Sequence, residues 1–310
     1  IPVLITPLDK NLKIDLLSLK KILNFISNYD PCAFWANGTG SEDMSLSLNN
    51  RLLLTKKICE FNKKKTPVIS GCSFYSLEDT FEFLRKSKSF DLSGYHYLPY
   101  NQMISLSNLE LVYRELAKYS SKPIWLYTSA NWYKHISPDF IDNLKSVKNI
   151  AGVKYSTSNI VDMQSVQSLA DKKFQVISAV VKTLYSCMCL GVKASTTVEA
   201  FTYPSLINKI RHSFLKGDRK QSLFFQKKLN SLIKEMPNIS AKENFLKVDF
   251  IFLLSLLTID GTDNVNYFIY KFNISKKDQK KLLFLNNFNS QKITSKTFSE
   301  KNLNKIFYFN

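Results

Sequence analysis

Apolar and polar positions along this chain follow two periods that take turns. Short, nearly continuous apolar runs occur at residues 1–6, 31–37, 66–71, 94–98, 123–127, 149–154, 174–179 and 192–196. Runs of this length, bounded by Gly, Pro, Asn and Asp, read as strands buried on both faces. Between them apolar residues recur at helical spacing, as over 48–63 and 77–88, with Ser47 placed to cap the first of these. The link between the last two strands is the shortest, a helical run over 182–190. Eight alternating units within residues 1–216 predict an α/β fold, a (β/α)₈ TIM barrel. Beyond Gly217-Asp218 the pattern is helical only, predicting a C-terminal helical extension over 217–286. Residues 287–310 are polar and basic with little periodicity and read as a loosely held tail.

The chain has 310 residues, of which 45% are hydrophobic, enough for one barrel-sized core with an appendage. No apolar run approaches the roughly 20 residues of a membrane-spanning helix; the strongest covers 250–257. The formal charge of +18 raises the question of a nucleic-acid partner. Its distribution argues against one. Lys56, Lys57, Lys63, Lys64 and Lys65 fall on predicted helix faces, others gather over 271–305, and Asn, Lys, Ile and Phe are abundant throughout. This reads as a solvated surface with neither nucleic acid nor membrane as partner.

Cys32, Cys59, Cys72, Cys187 and Cys189 are odd in number and sit mostly in apolar runs, which reads as reduced, buried thiols in a cytoplasmic protein. Cys187-Met188-Cys189 lacks the two-residue gap of common metal sites, and no histidine has ligand spacing to a cysteine, so no metal is expected.

Two strand ends carry candidate chemistry. The sixth predicted strand ends in Lys154 and the fifth in Tyr127. In a barrel of this kind, catalytic groups project from the C-terminal ends of strands, and neighbouring strands lie about 4.8 Å apart. Burial at an apolar strand end favours the neutral form of an amine, and a neutral amine can attack a carbonyl to give a Schiff base. Strand alternation puts Gly152 on the face of Lys154, where its missing side chain would leave room for substrate. After the second strand, Gly38-Thr39-Gly40-Ser41-Glu42-Asp43 offers small residues and hydroxyl donors that could hold a carboxylate at the barrel mouth.

These residues resemble the class I, Schiff-base aldolases of the dihydrodipicolinate synthase and N-acetylneuraminate lyase superfamily. The matching segments run in order: Thr6-Pro7, Gly38-Thr39-Gly40-Ser41-Glu42, Leu46-Ser47-Leu48 with Arg51, Leu98-Pro99-Tyr100, Leu126-Tyr127, Gly152-Val153-Lys154, and late in the chain Ile259-Asp260-Gly261 followed by 275–285. The resemblance implies that Lys154 forms the imine with a 2-oxo acid, that Tyr127 relays protons, and that Thr39 and the Gly40 amide bind the carboxylate. It implies no cofactor beyond the covalent lysine imine, and a homodimer or homotetramer.

Departures from the family pattern mark a divergent member. Asn101 follows Tyr100 where the synthases carry a second aromatic hydroxyl, and Trp132 stands in the loop where they carry an arginine. Gly40 and Ser41 replace a threonine and a glycine. Ser41, Asn101, Thr196, Asn131 and Trp132 join Thr39 and Gly40 as the candidate substrate-binding set. The aromatic residues Trp35, Phe74, His96, Tyr97, Trp132 and Tyr133 fall near strand ends or the loops after them and suit a hydroxylated or ring-bearing substrate arm. The expected function is a lyase or aldolase acting on pyruvate or another 2-oxo acid. A dehydratase using the same imine, or a catalytically silent barrel serving in binding or assembly, are the alternatives.

Overall fold

The computed structural model describes residues 1–129, 134–235, and 275–283 apart from 277 and 281. Seven strands form one parallel sheet in chain order: β1 (Phe34–Ala36), β2 (Val68–Gly71), β3 (Gly94–Tyr97), β4 (Ile124–Ser129), β5 (Ile150–Ser156), β6 (Gln175–Ser178) and β7 (Ala194–Ser195). The helices are α1 (Leu16–Ser27), α2 (Leu48–Phe61), α3 (Leu77–Lys86), α4 (Leu106–Tyr119), α5 (Pro138–Lys145), α6 (Ile160–Gln167), α7 (Leu184–Cys189), α8 (Glu199–Thr202), α9 (Pro204–Leu215) and α10 (Arg219–Glu235). Each strand is followed by a helix, and each parallel pair is joined through one, as parallel strands require.

The first predicted strand takes a reduced form. Residues 1–6 make single parallel bridges, Pro2 with Thr197 and Val3 with Trp35. Val3 N–H donates to Thr197 O at 3.2 Å, Trp35 N–H to Pro2 O at 3.0 Å and Leu4 N–H to Trp35 O at 2.9 Å. The segment therefore lies between β7 and β1 and closes the sheet into a barrel. Pro2 has no N–H to give, which limits the ladder at that point.

Two apolar layers hold this arrangement. Strand residues facing outward, including Phe34, Val68, Tyr95, Leu126, Val153 and Val176, pack against helix residues such as Leu23, Leu54, Phe83, Leu116 and Ile141. Inside the barrel Val3, Ala33, Trp35, Ile69, Leu98, Tyr100, Trp125, Tyr127 and Ile177 form a separate cluster. The alternation that sends Trp125 and Tyr127 inward sends Leu126 outward, the period of two expected of a strand. Helix starts follow local chemistry. Asp15, Ser47, Ser76, Ser105, Ser137 and Asn159 each accept from a backbone N–H of the turn they precede.

Pairing of β4 with β5 skips Ala151: Ile124 faces Ile150 and Trp125 faces Gly152. This is a one-residue bulge. Gly152 is required there by the β6 backbone, since a Cβ would overlap the carbonyl of Gln175. The space expected at Gly152 for substrate is thus already filled by the neighbouring strand.

The first compact unit runs from Ile1 to Glu235 and includes α10, which packs with α7 and α9 through Val181, Leu184, Ile210 and Leu229. Gln226 anchors it, donating to Val181 O at 3.0 Å and accepting from Tyr185 N–H at 2.8 Å. The second unit is Met236–Asn310; within it Ser275 accepts from Asp278 N–H at 3.2 Å and begins a helical turn. Ile259-Asp260-Gly261 and residues 287–310 lie outside the described residues. Among the described residues no helix is long and apolar enough to cross a membrane.

Candidate active site

Lys154 and Tyr127 are register partners on β5 and β4. Both point into the barrel near its C-terminal end and are almost wholly enclosed, at 5% and 4% exposure. The Lys154 nitrogen Nζ lies 3.9 Å from the centroid of the Tyr127 ring and 5.0 Å from that of Trp35. Cation–π attraction and the enclosing aromatic walls hold the amine in one place. Tyr127 OH lies 3.2 Å from Thr39 Oγ1, so the phenol edge reaches the loop after β1.

That loop is held from both sides. Asn37 (φ 49°) and Glu42 (φ 53°) adopt left-handed backbone at either end of the Gly38–Ser41 turn. Such residues cost about 1–3 kcal/mol each and persist where their surroundings over-determine them. Asn37 Nδ2 donates to Thr55 Oγ1 at 2.7 Å and Ser70 Oγ at 3.1 Å. Thr39–Ser41 forms a 3₁₀ turn. Thr39 is exposed at the mouth. Gly40 sits against the closing segment, where a Cβ would lie 2.5 Å from Val198 and 2.9 Å from Val3. Ser41 is buried, its Oγ donating to Leu4 O at 2.5 Å and accepting from Gly38 N–H at 3.3 Å, so its hydroxyl braces the loop.

A buried ion pair ties this loop to its neighbours. Arg51 Nη1 lies 3.2 Å from Asp43 Oδ2 and Arg51 Nε donates to Asp43 O at 2.8 Å. Arg51 also donates to Ser73 O and stacks 4.0 Å above the Phe74 ring, while Tyr100 OH donates to Asp43 Oδ2. Loops after β1, β2 and β3 are thereby joined. Burial pushes the Asp43 carboxyl upward from its ordinary pKa, opposed by Arg51 and the Tyr100 hydrogen bond. Asp43 and Tyr100 were not singled out as a pair by sequence reasoning; the available signal was an acid beside the small-residue turn with Arg51 in the first turn of the next helix.

His96 stacks on Trp35 at 4.2 Å with planes 9° apart, and its ring meets Tyr127 edge-on at 5.7 Å. The Ala36 carbonyl, 3.0 Å from Nε2, can only accept, so Nε2 carries the proton and Nδ1 a lone pair. Burial, then the nearby Lys154 charge, hold the His96 pKa well below the ordinary histidine value. His96 is therefore neutral and adds no charge beside Lys154.

The remaining candidates divide. Thr196 faces the interior, is 1% exposed, and its Oγ1 has no partner among the described residues. Asn101 is exposed, and its Oδ1 accepts from Met103 N–H at 2.9 Å, closing a turn. Asn131, Trp132 and Tyr133 lie outside the described residues. Of the other aromatics, Tyr97 faces the helices and packs on Tyr113 at 5.5 Å, and Phe74 serves Arg51. The cysteines are all free thiols; Cys72 and Cys187 are buried, while Cys32 and Cys189 are exposed, contrary to the apolar setting their sequence suggested. No three His, Cys, Asp or Glu side chains among the described residues group as metal ligands do.

The sequence model of the Dihydrodipicolinate synthetase family matches residues 1–252, which include both strands that carry Lys154 and Tyr127. The chain belongs to the dihydrodipicolinate synthetase family. Members are class I lyases, and this chain is an enzyme of that class. A 4-hydroxy-tetrahydrodipicolinate synthase of Ectopseudomonas mendocina (strain ymp) is 25% identical over 217 residues, spanning 69% of this chain and 74% of that enzyme. One of Buchnera aphidicola subsp. Cinara cedri (strain Cc) is 25% identical over 242 residues, spanning 77% and 80%. N-acetylneuraminate lyase from Mycoplasma synoviae superposes with a TM-score of 0.72 at 18% identity, covering 92% of this chain and 95% of that one. YagE from E. coli K12, solved in complex with pyruvate, superposes with a TM-score of 0.73 at 15% identity, covering 83% and 86%. These structural likenesses bear out the barrel fold.

Proposed function

We propose that this member of the dihydrodipicolinate synthetase family is a Schiff-base aldolase or lyase acting on pyruvate or another 2-oxo acid through Lys154. The observation that carries the reading is the enclosed Lys154 amine against the Tyr127 ring, with the Tyr127 hydroxyl at 3.2 Å from Thr39. In its unprotonated form Nζ attacks C2 of the oxo acid with its lone pair, the carbonyl oxygen takes a proton from Tyr127, and the nitrogen returns one of its protons to the Tyr127 phenolate, giving a neutral carbinolamine. That oxygen leaves as water after a second proton transfer, and the C2=N imine remains. Protonated, the imine withdraws electrons from C3. In cleavage the C3–C4 bonding pair moves toward it, an aldehyde departs and an enamine is left; synthesis is the reverse.

In this reading Thr39 and the Gly40 backbone receive the carboxylate, supported by the contact of Thr39 with Tyr127, and Thr196 offers a further hydroxyl inside the barrel. The steps require no cofactor beyond the imine. A homodimer or homotetramer belongs to the same reading and is measurable by light scattering.

Borohydride reduction in the presence of pyruvate tests the proposal. One carboxyethyl group on Lys154, located by peptide mass mapping, is the expected result. Absence of any pyruvate-dependent adduct would favour the silent barrel instead.

A further inference from the structure

The indole of Trp35 spans the distance between the amine and the loop. Trp35 is fully buried, its ring centroid lies 5.0 Å from Lys154 Nζ, and it meets the Tyr127 ring edge-on at 5.9 Å. Its Nε1–H has no hydrogen-bond partner among the described residues. A buried donor left so is costly, and indole nitrogens inside proteins normally find an acceptor. The nitrogen's position is informative. It lies 3.2 Å from the point where a Cβ on Gly38 would stand, with His96 Cε1 3.5 Å from the same point. Gly38 begins the turn that carries Thr39 and Gly40, so the indole N–H, buried and unpartnered, lies beneath that turn with no side chain of residue 38 against it.

We infer that Trp35 is a substrate-binding residue whose Nε1–H donates to the carboxylate of the 2-oxo acid, adding a donor below the loop to those of Thr39 and Gly40. This rests on the proposed imine at Lys154. In a 2-oxo acid C1 is bonded directly to C2, so with C2 on Nζ the carboxylate must lie within a few ångströms of the amine, alongside the indole. Trp35 N–H can only donate, which suits an anion; a carboxylate acceptor strengthens the bond. His96 cannot share the role, because its unpartnered Nδ1 carries a lone pair and has no proton to donate to an anion. Its part is to hold the indole plane by stacking, without charge.

Two substitutions test the inference, each read by the pyruvate concentration that half-saturates borohydride labelling of Lys154. Trp35→Phe keeps an aromatic wall and removes the N–H. Half-saturation should rise about tenfold, the scale of one hydrogen bond to a charged group, while labelling still proceeds at saturating pyruvate. With methyl pyruvate, whose ester is a weaker acceptor and carries no charge, the rise should be less than about threefold. Gly38→Ala leaves the indole in place and covers its nitrogen with a methyl group, so it should reproduce the pyruvate-selective loss even if Trp35→Phe does not fold. Unchanged half-saturation in Trp35→Phe, or equal losses with acid and ester in both variants, would overturn the role of the N–H. A wild-type chain that pyruvate does not label at all would overturn the imine itself, a result distinct from failure of the Trp35 contact.

Discussion

Tyr127 OH and Thr39 Oγ1, 88 positions apart in sequence, stand 3.2 Å from each other at the barrel mouth. The contact gives the phenol one hydroxyl partner, and the position after Tyr100, where the related synthases carry a second aromatic hydroxyl, holds an asparagine turned to Met103 N–H. A proton leaving Tyr127 must then pass through Thr39, water or the substrate's carboxylate. Tyr127→Phe should lower turnover by a factor on the order of 10² to 10⁴. Pyruvate labelling at Lys154 should persist more slowly. Steady-state rates with the physiological aldehyde, set beside trapping rates, check both; unchanged turnover would move the proton chemistry elsewhere.

Lys154→Ala should abolish borohydride trapping and leave the circular dichroism spectrum and melting temperature near those of the wild type. The side chain is enclosed by aromatic walls but makes no ion pair among the described residues, so little of the fold depends on it. Retained trapping would point to Lys182 or Lys193, both exposed.

His96 predicts a pH dependence of stability. Its pKa is held well below the ordinary histidine value in the folded chain, chiefly by burial, so below about pH 6.5 the unfolded chain binds a proton that the folded one does not. Stability is therefore complete above that pH and falls as pH drops through it, by about 1.4 kcal/mol per unit for one proton. His96→Phe keeps the stack on Trp35 and removes the titration. Urea unfolding between pH 7.5 and 5.5 should show a shallower acid loss in the variant; parallel curves would remove His96 as the cause.

Arg51 and Asp43 should respond unequally to substitution. Arg51→Met leaves a buried, uncompensated carboxylate and should destabilise by about 3–5 kcal/mol. Asp43→Asn keeps an acceptor for Tyr100 and should cost less, because the carboxylate is already disfavoured by burial. Equal losses in denaturant titrations would argue that the ion pair, which both variants break, dominates over the guanidinium's bonds to Ser73 and the Asp43 backbone and its stack on Phe74, which only Arg51→Met removes.

The net charge of +18 carries an expectation about nucleic acid. Retention on DNA or RNA should be weak, indifferent to sequence and lost in moderate salt, as for binding by scattered phosphate contacts. Sequence-selective retention at physiological salt would show a built interface.

Periodicity was enough for the barrel, because strand and helix burial impose different spacings and the eight runs keep their order without gaps. Lys154 and Tyr127 were legible as candidates because each closes an apolar run, but neither ends its strand: β5 and β4 continue two residues further, to Ser156 and Ser129, where polar residues still pair across the ladder. The sequence by itself also marked the Gly38–Ser41 turn and its Ser47-capped helix, both set by local chemistry. Only tertiary structure decided what depends on contacts between distant segments. Residues 1–6 became a pair of bridges because their partners, Trp35 and Thr197, lie on opposite sides of the closure. Gly152 proved to answer the Gln175 backbone, a consequence of the bulge opposite Ile124 and Trp125 that alternation cannot reveal. Ser41 turned its hydroxyl to Leu4, Asp43 found Arg51 and Tyr100, and the indole N–H of Trp35 came to rest beneath Gly38. Each is a choice of hydrogen-bond partner in a low-dielectric interior, where residue type limits the options and packing alone selects among them.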